Sequence, residues 1–112
     1  MAKFVKGEVV VIPFPFSDLS GSKRRPALVL ADLPGDDILL CQITSQSSPN
    51  DMLIVPLTSN DFKSGALPVA SNIRPNRLFT ADRHLILKSV GIINSQTHQK
   101  VIDSIINLVS VE

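Results

Sequence analysis

For its first ninety or so residues this sequence never settles into a helical period. Short apolar stretches rich in β-branched residues are cut again and again by proline, glycine and small polar residues. Val9-Val10-Val11-Ile12 is a continuous β-branched run, short enough for a buried strand. Pro13 and Pro15 end it or place its end on a sheet edge. Ala27 to Ala31 forms a second strand and Ile38 to Thr44 a third. The Pro34-Gly35-Asp36-Asp37 turn between them predicts an antiparallel hairpin. Leu53 to Leu57 is a fourth strand, with Pro56 marking an edge or bulge. Ser59 to Gly65 reads as a loop. Strands resume from Leu67 to Ala70, from Ile73 to Ala81 and from Leu85 to Val90, where Gly91 stops the last. The period then changes. Val101, Ile102, Ile105, Ile106 and Val109 recur at helical spacing, which predicts one helix over about Gln96 to Val109 with Ser95 as N-cap and an apolar face on the sheet. Many short strands and one terminal helix describe a mainly β protein, a small curled sheet or barrel forming a single domain over residues 1–112.

The chain has 112 residues and is 44% hydrophobic, enough to build a core. Its charged fraction is 19%, below the usual ~25%. Net charge is only +1, so a nucleic-acid partner has to be held by locally concentrated cations rather than by a broadly basic surface. There is such a concentration. No acidic residue occurs between Asp61 and Asp82, where Lys63, Arg74 and Arg77 lie, and Lys23-Arg24-Arg25 adds three more cations. Cys41 is the single cysteine. An internal disulfide and a cysteine-based metal site are therefore excluded, and Cys41 reads as a buried small hydrophobe. No stretch approaches the ~20 apolar residues of a membrane span. With no signal-peptide core after Met1, a cytoplasmic protein is expected.

Three segments carry candidate chemistry. In Ser20-Gly21-Ser22-Lys23-Arg24-Arg25-Pro26-Ala27-Leu28-Val29-Leu30, a polar loop ends in cations and proline leads into a strand. Pro26 biases Arg25 toward extended backbone, with its guanidinium pointing into solvent. The planar fork suits phosphate; a solvated basic turn is the alternative. In Cys41-Gln42-Ile43-Thr44-Ser45-Gln46, alternation puts Thr44 on the outward face with Gln42 and Gln46, or makes an ordinary solvent-facing strand. Ser71 to Asp82 offers Arg74 directly before Pro75, and Arg77 three residues on. Patterns for zinc, P-loop and serine-hydrolase chemistry are absent. His98 is read as an exposed helix residue and His84 as structural. A reaction that needs neither metal nor histidine is RNA cleavage by its own 2′-OH, where the protein aligns the nucleophile and stabilises the anionic phosphorus.

These segments, together with Lys6-Gly7-Glu8-Val9-Val10-Val11 and Ile73-Arg74-Pro75-Asn76-Arg77-Leu78-Phe79-Thr80-Ala81-Asp82, resemble the MazF/PemK family of type II toxin–antitoxin endoribonucleases. The resemblance spans nearly the whole chain. It implies an SH3-like barrel with a C-terminal α-helix, acting as a homodimer. It also implies metal-independent, sequence-selective cleavage of single-stranded RNA, neutralised by a cognate antitoxin that covers the RNA groove. Arg25 and Thr44 match the family's catalytic arginine and threonine. Lys23, Arg24, Ser45, Gln46, Arg74 and Arg77 are then the residues that contact RNA. Some relatives pair an arginine with an aspartate two residues later; Arg74 matches the first, but Asn76 stands at the second. That departure favours the Arg25/Thr44 pair. The alternatives from the same sequence are a non-enzymatic CcdB-type toxin acting on DNA gyrase through its C-terminal helix, and an RNA-binding barrel without catalysis.

Overall fold

The computed structural model describes residues 3–14, 23–46 and 53–111. The loop from Ser17 to Ser22, Pro15 and the Ser47 to Asp51 loop lie outside the described residues. Seven strands run in the order β4-β6-β3-β2-β1-β7-β5. They are β1 (Glu8–Phe14), β2 (Lys23–Asp32), β3 (Asp37–Thr44), β4 (Val55–Leu57), β5 (Phe62–Gly65), β6 (Ser71–Asp82) and β7 (Lys88–Ile93), followed by the helix α1 (Ser95–Val109). Every strand pair is antiparallel.

The continuous apolar runs follow from burial on both faces. Along β1, β2 and β3 the residues of one parity (Val9, Leu28, Leu30, Cys41, Ile43) pack with Val55, Leu57, Ile73, Ile93 and Val101. Those of the other parity (Val10, Ile12, Ala27, Val29, Ile38, Leu40) pack with Ala81 under Phe4, Phe79, Leu85 and Ile86. A strand covered on both sides has no polar face to alternate with. The first cluster joins Val55 and Leu57, from β4 at one edge, to Ile93 of β7 near the opposite edge. Such contacts require the sheet to curl into a half-barrel, whose open side α1 closes through the fully buried Val101.

Several boundaries differ from the sequence expectation. β2 begins at Lys23, not Ala27, because Lys23, Arg24 and Arg25 pair with Phe14, Pro13 and Ile12. Pro13 ends nothing: β1–β7 pairing stops at Val11, so the missing proline N–H costs no ladder bond on that side. Pro56 does sit on an edge strand. The expected 59–65 loop is a 3-10 turn, Ser59–Asp61, running into β5, and the expected strand over 67–70 is irregular. The helix starts one residue earlier than expected, with Asn94 as N-cap: its side chain accepts from the Thr97 N–H at 2.8 Å. Asn94 also donates from its backbone to the Asp61 carbonyl at 2.7 Å, and the Thr97 hydroxyl donates to Asp61 at 2.8 Å. The 3-10 turn therefore fixes the helix origin. Of the predicted apolar face only Val101 is fully buried; Ile102 and Ile105 are partly buried, while Ile106 and Val109 are exposed. His98 is half-buried rather than exposed.

Candidate functional site

The last β2–β3 pair is Ala27 with Gln42. Arg25 and Thr44 each lie two residues beyond that pair, so they share its face at neighbouring strand ends. Both are half-buried. Arg25 does not extend freely into solvent as expected: its Nε is buried and has no hydrogen-bond partner. Thr44 pairs with Asn72 of β6, and its Oγ1 accepts from the Gln46 N–H at 3.1 Å. That bond uses an oxygen lone pair and leaves the hydroxyl hydrogen available to donate. Asn72 donates to the Gln46 carbonyl at 3.5 Å, which ties the exposed Ser45-Gln46 corner to β6.

The third segment, Ser71 to Asp82, carries a bulge. β6 pairs Leu78 with Cys41 but Ile73 with Ile43, so Arg74, Pro75, Asn76 and Arg77 stand opposite Gln42. Pro75, which has no N–H for a ladder, is buried there. The Cys41 thiol donates to the Arg74 carbonyl at 2.9 Å and pins the bulge from below. Burial pushes that thiol up to about 12, against a smaller lowering by this bond, so it is an inert core group. Arg74 is half-buried, and Asn76 and Arg77 are exposed. Because β2, β3 and β6 are adjacent, Arg25, Gln42 and the arginine-bearing bulge form one band across three strands.

Residues of the opposite parity, Val11, Arg24, Pro26, Ile43 and Ser45, line a cleft of about 360 Å³ together with Arg25, Leu67, Pro68, Val69, Ser71, Lys88 and Val90. None of these residues is acidic or a histidine. Arg24, Arg25 and Lys88 make no ion pair among the described residues. The cleft is thus cationic with an apolar floor. Sequence reasoning missed Lys88, because only the β1–β7 pairing brings it beside Arg24 and Arg25. Lys23 lies two residues from Arg25 and is exposed on the same strand. Among the described residues no histidine or carboxylate lines the cleft, and a guanidinium, which stays protonated, is a poor general base. Among the described residues no group of three or more metal-ligating side chains converges.

A family model described as PemK-like, MazF-like toxin of type II toxin–antitoxin system matches residues 5–109. No curated protein matches. Solved structures match over most of their length. A MazE–MazF crystal structure from Deinococcus radiodurans (Form-II) has a TM-score of 0.75 at 17% identity, covering 100% of each chain. An endoribonuclease in complex with its cognate antitoxin, from Mycobacterial species, has a TM-score of 0.75 at 14% identity, covering 98% of each chain. The Mycobacterium tuberculosis toxin MazF-mt6 has a TM-score of 0.72 at 14% identity, covering 94% of this chain and 98% of its own. At these identities the likeness is one of fold.

Proposed function

Since the chain belongs to the PemK-like, MazF-like toxin family of type II toxin–antitoxin systems, we propose that it is a metal-independent endoribonuclease that cuts single-stranded RNA. The observation that carries this reading is the placement of Arg25 and Thr44 at adjacent strand ends, next to a cationic cleft with no carboxylate among its described residues. In this reading the substrate's 2′-OH attacks the neighbouring phosphorus. The 2′-O–P bond forms, the P–O5′ bond breaks, and the products are a 2′,3′-cyclic phosphate and a 5′-OH. The attacking hydroxyl loses its proton and the leaving 5′ oxygen gains one. Arg25 places two N–H groups on the non-bridging oxygens as their charge grows, and its buried, unpartnered Nε makes a hydrogen bond gained on binding especially favourable. Thr44 donates its free hydroxyl hydrogen to the phosphate or the nucleophile. Without a tuned base, the rate depends on positioning.

Lys23, Arg24, Ser45, Gln46, Arg74 and Arg77 are assigned to RNA contact. They border the band and the cleft on three adjacent strands and the corner after β3. The exposed Asn76 stands where some relatives carry aspartate and supplies no base. A homodimer in the cytoplasm, held in check by a cognate antitoxin, completes the proposal. An endoribonuclease with its antitoxin is among the structures that share this fold. No helix among the described residues is long and apolar enough to cross a membrane.

The test is incubation of purified protein with a long single-stranded RNA in EDTA, followed by mapping of the ends. Discrete cuts leaving 5′-OH ends are expected. Arg25→Ala should cut roughly 10²–10³-fold more slowly, in line with loss of a donor to a developing oxyanion. Arg25→Lys should lose nearly as much, because a point charge cannot reproduce the fork. Thr44→Val should fall less steeply, with folding retained. Intact RNA at high protein concentration, or inhibition of gyrase supercoiling in its place, overturns the reading.

A further inference from the structure

The cleft beneath Arg24 has a construction of its own. Lys88 pairs with Val11 across β7 and β1, and Val11 pairs with Pro26 across β1 and β2. With Ile43 of β3 these residues make a row across four adjacent strands, cationic at one end and apolar along its floor. Leu67, Pro68 and Val69 form the wall, and the segment is held in place by the Ala66 N–H to the Val90 carbonyl (3.2 Å) and the Ser71 hydroxyl to the Val69 carbonyl (3.1 Å). Small-molecule clefts run from about 300 to 1,000 Å³; at about 360 Å³ this one has room for a single nucleotide.

We infer that this cleft is a one-nucleotide subsite, in which a splayed base lies on the half-buried Val11 and Pro26, backed by the buried Ile43, and Lys88 holds the phosphate on the side away from Arg25. The inference rests on the ribonuclease reading and deepens it by naming a residue and a substrate unit. Single-stranded RNA presents unstacked bases that proteins take up one at a time. Among the described residues no aromatic side chain lines the cleft, so there the base packs against aliphatic groups, and its phosphates supply much of the affinity. Lys88 is exposed, and among the described residues its ammonium has no partner and no carboxylate in the cleft competes with the phosphate.

The experiment measures binding of a single-stranded 2′-O-methyl oligonucleotide, which lacks the attacking hydroxyl. It carries the cut-site sequence, or a mixed sequence if nothing is cut. Lys88→Gln should weaken binding roughly five- to tenfold at low salt and make the log-affinity against log-salt slope shallower by about 0.7, the share of one phosphate. Lys88→Arg should restore the slope. In cleavage, Lys88→Gln should raise KM and leave kcat within about twofold. Lys100→Gln, on an exposed lysine of α1 outside the cleft, should change neither. An abasic scan of the oligonucleotide should show one position where base loss weakens wild-type binding more than at its neighbours. An unchanged slope and affinity in Lys88→Gln, or a flat abasic scan, overturns the subsite while leaving cleavage intact. Binding with the Lys88-dependent slope but no cutting by wild type sinks the ribonuclease reading and keeps the subsite. No binding by wild type sinks both.

Discussion

At the scale of single residues, Arg83 shows how a charged group can be structural and invisible in the sequence. Its side chain is 5% exposed. It donates to Asp32 at 2.6 and 3.3 Å and to the Leu33 and Gly35 carbonyls at 3.3 and 2.9 Å. Its own N–H donates to the Asp36 carbonyl at 2.8 Å, so one residue staples the whole β2–β3 turn. The Arg83 hydrogen bonds hold the Asp32 carboxyl below its usual range against a smaller opposing effect of burial, with help from the Phe4 N–H. A carboxyl depressed in the folded state stabilises above its unfolded value, about 3.9, and that stability is lost as pH falls from there through the folded value. Melting temperature should therefore be level above about pH 5 and drop below about pH 4. Asp32→Asn should lower stability at neutral pH and flatten part of the acid drop, the remainder belonging to Asp61 and Asp82, which are also depressed. A melting series from pH 3 to 8 checks this, and an acid drop identical in the variant would contradict it. The sequence displayed Asp82-Arg83-His84 only as a polar string, because the partner at Asp32 lies 51 positions away. The position of Arg25 and Thr44 at strand ends is, by contrast, legible in the sequence, since proline and strand alternation act locally; the buried Nε of Arg25 is not.

At the scale of elements, legibility followed the range of the forces involved. The runs in β1, β2 and β3, the Pro34-Gly35 turn and the helix were readable because period and turn chemistry are local. β5 was not. It exists because Phe62 to Gly65 pairs with Gly91 to Ile93 of β7, whereas in the sequence Gly91 signals only the end of a strand. The pair is unusually close. A Cβ on Gly65 would lie 2.1 Å from the Val90 carbonyl oxygen, at a backbone φ of +75° that suits glycine. A Cβ on Gly91 would meet the Ser64 oxygen at 2.5 Å and the Phe62 ring at 2.9 Å. Gly65→Ala combines strain with a backbone collision and should cost about 2 kcal/mol or more. Gly91→Ala should cost about 1–3 kcal/mol by overpacking. Urea unfolding should show lower midpoints with an unchanged slope. Wild-type stability in Gly65→Ala would mean that β5 does not dock as described. Because β5 runs into the 66–70 wall of the cleft, Gly65→Ala should also weaken RNA binding without touching any cation.

At the scale of the whole molecule, charge is nearly balanced, at +1 over 112 residues, yet it is sorted. Asp32, Asp36, Asp37 and Asp82 gather at the β2–β3 turn and the end of β6, while Arg24, Arg25 and Lys88 collect at the opposite ends of β2 and β7. The β2–β3–β6 ladder fixes this sorting, because antiparallel neighbours place the start of β2 beside the end of β3. Two expectations separate here. A broadly basic surface engages many phosphates and loses affinity steeply with salt. A balanced molecule with a local patch engages few, and beyond a Debye length of about 8–10 Å its opposed charges cancel or are screened. With three cleft cations and one or two bulge arginines acting on one strand, and ~0.7 counterions released per phosphate, the log-affinity against log-salt slope should be about −2.8 to −3.5 per site. Anisotropy titrations of the 2′-O-methyl oligonucleotide between 50 and 400 mM salt read this directly. A slope steeper than about −6 would place most of the contacts outside the cleft and band, and a slope near zero would remove phosphate recognition altogether.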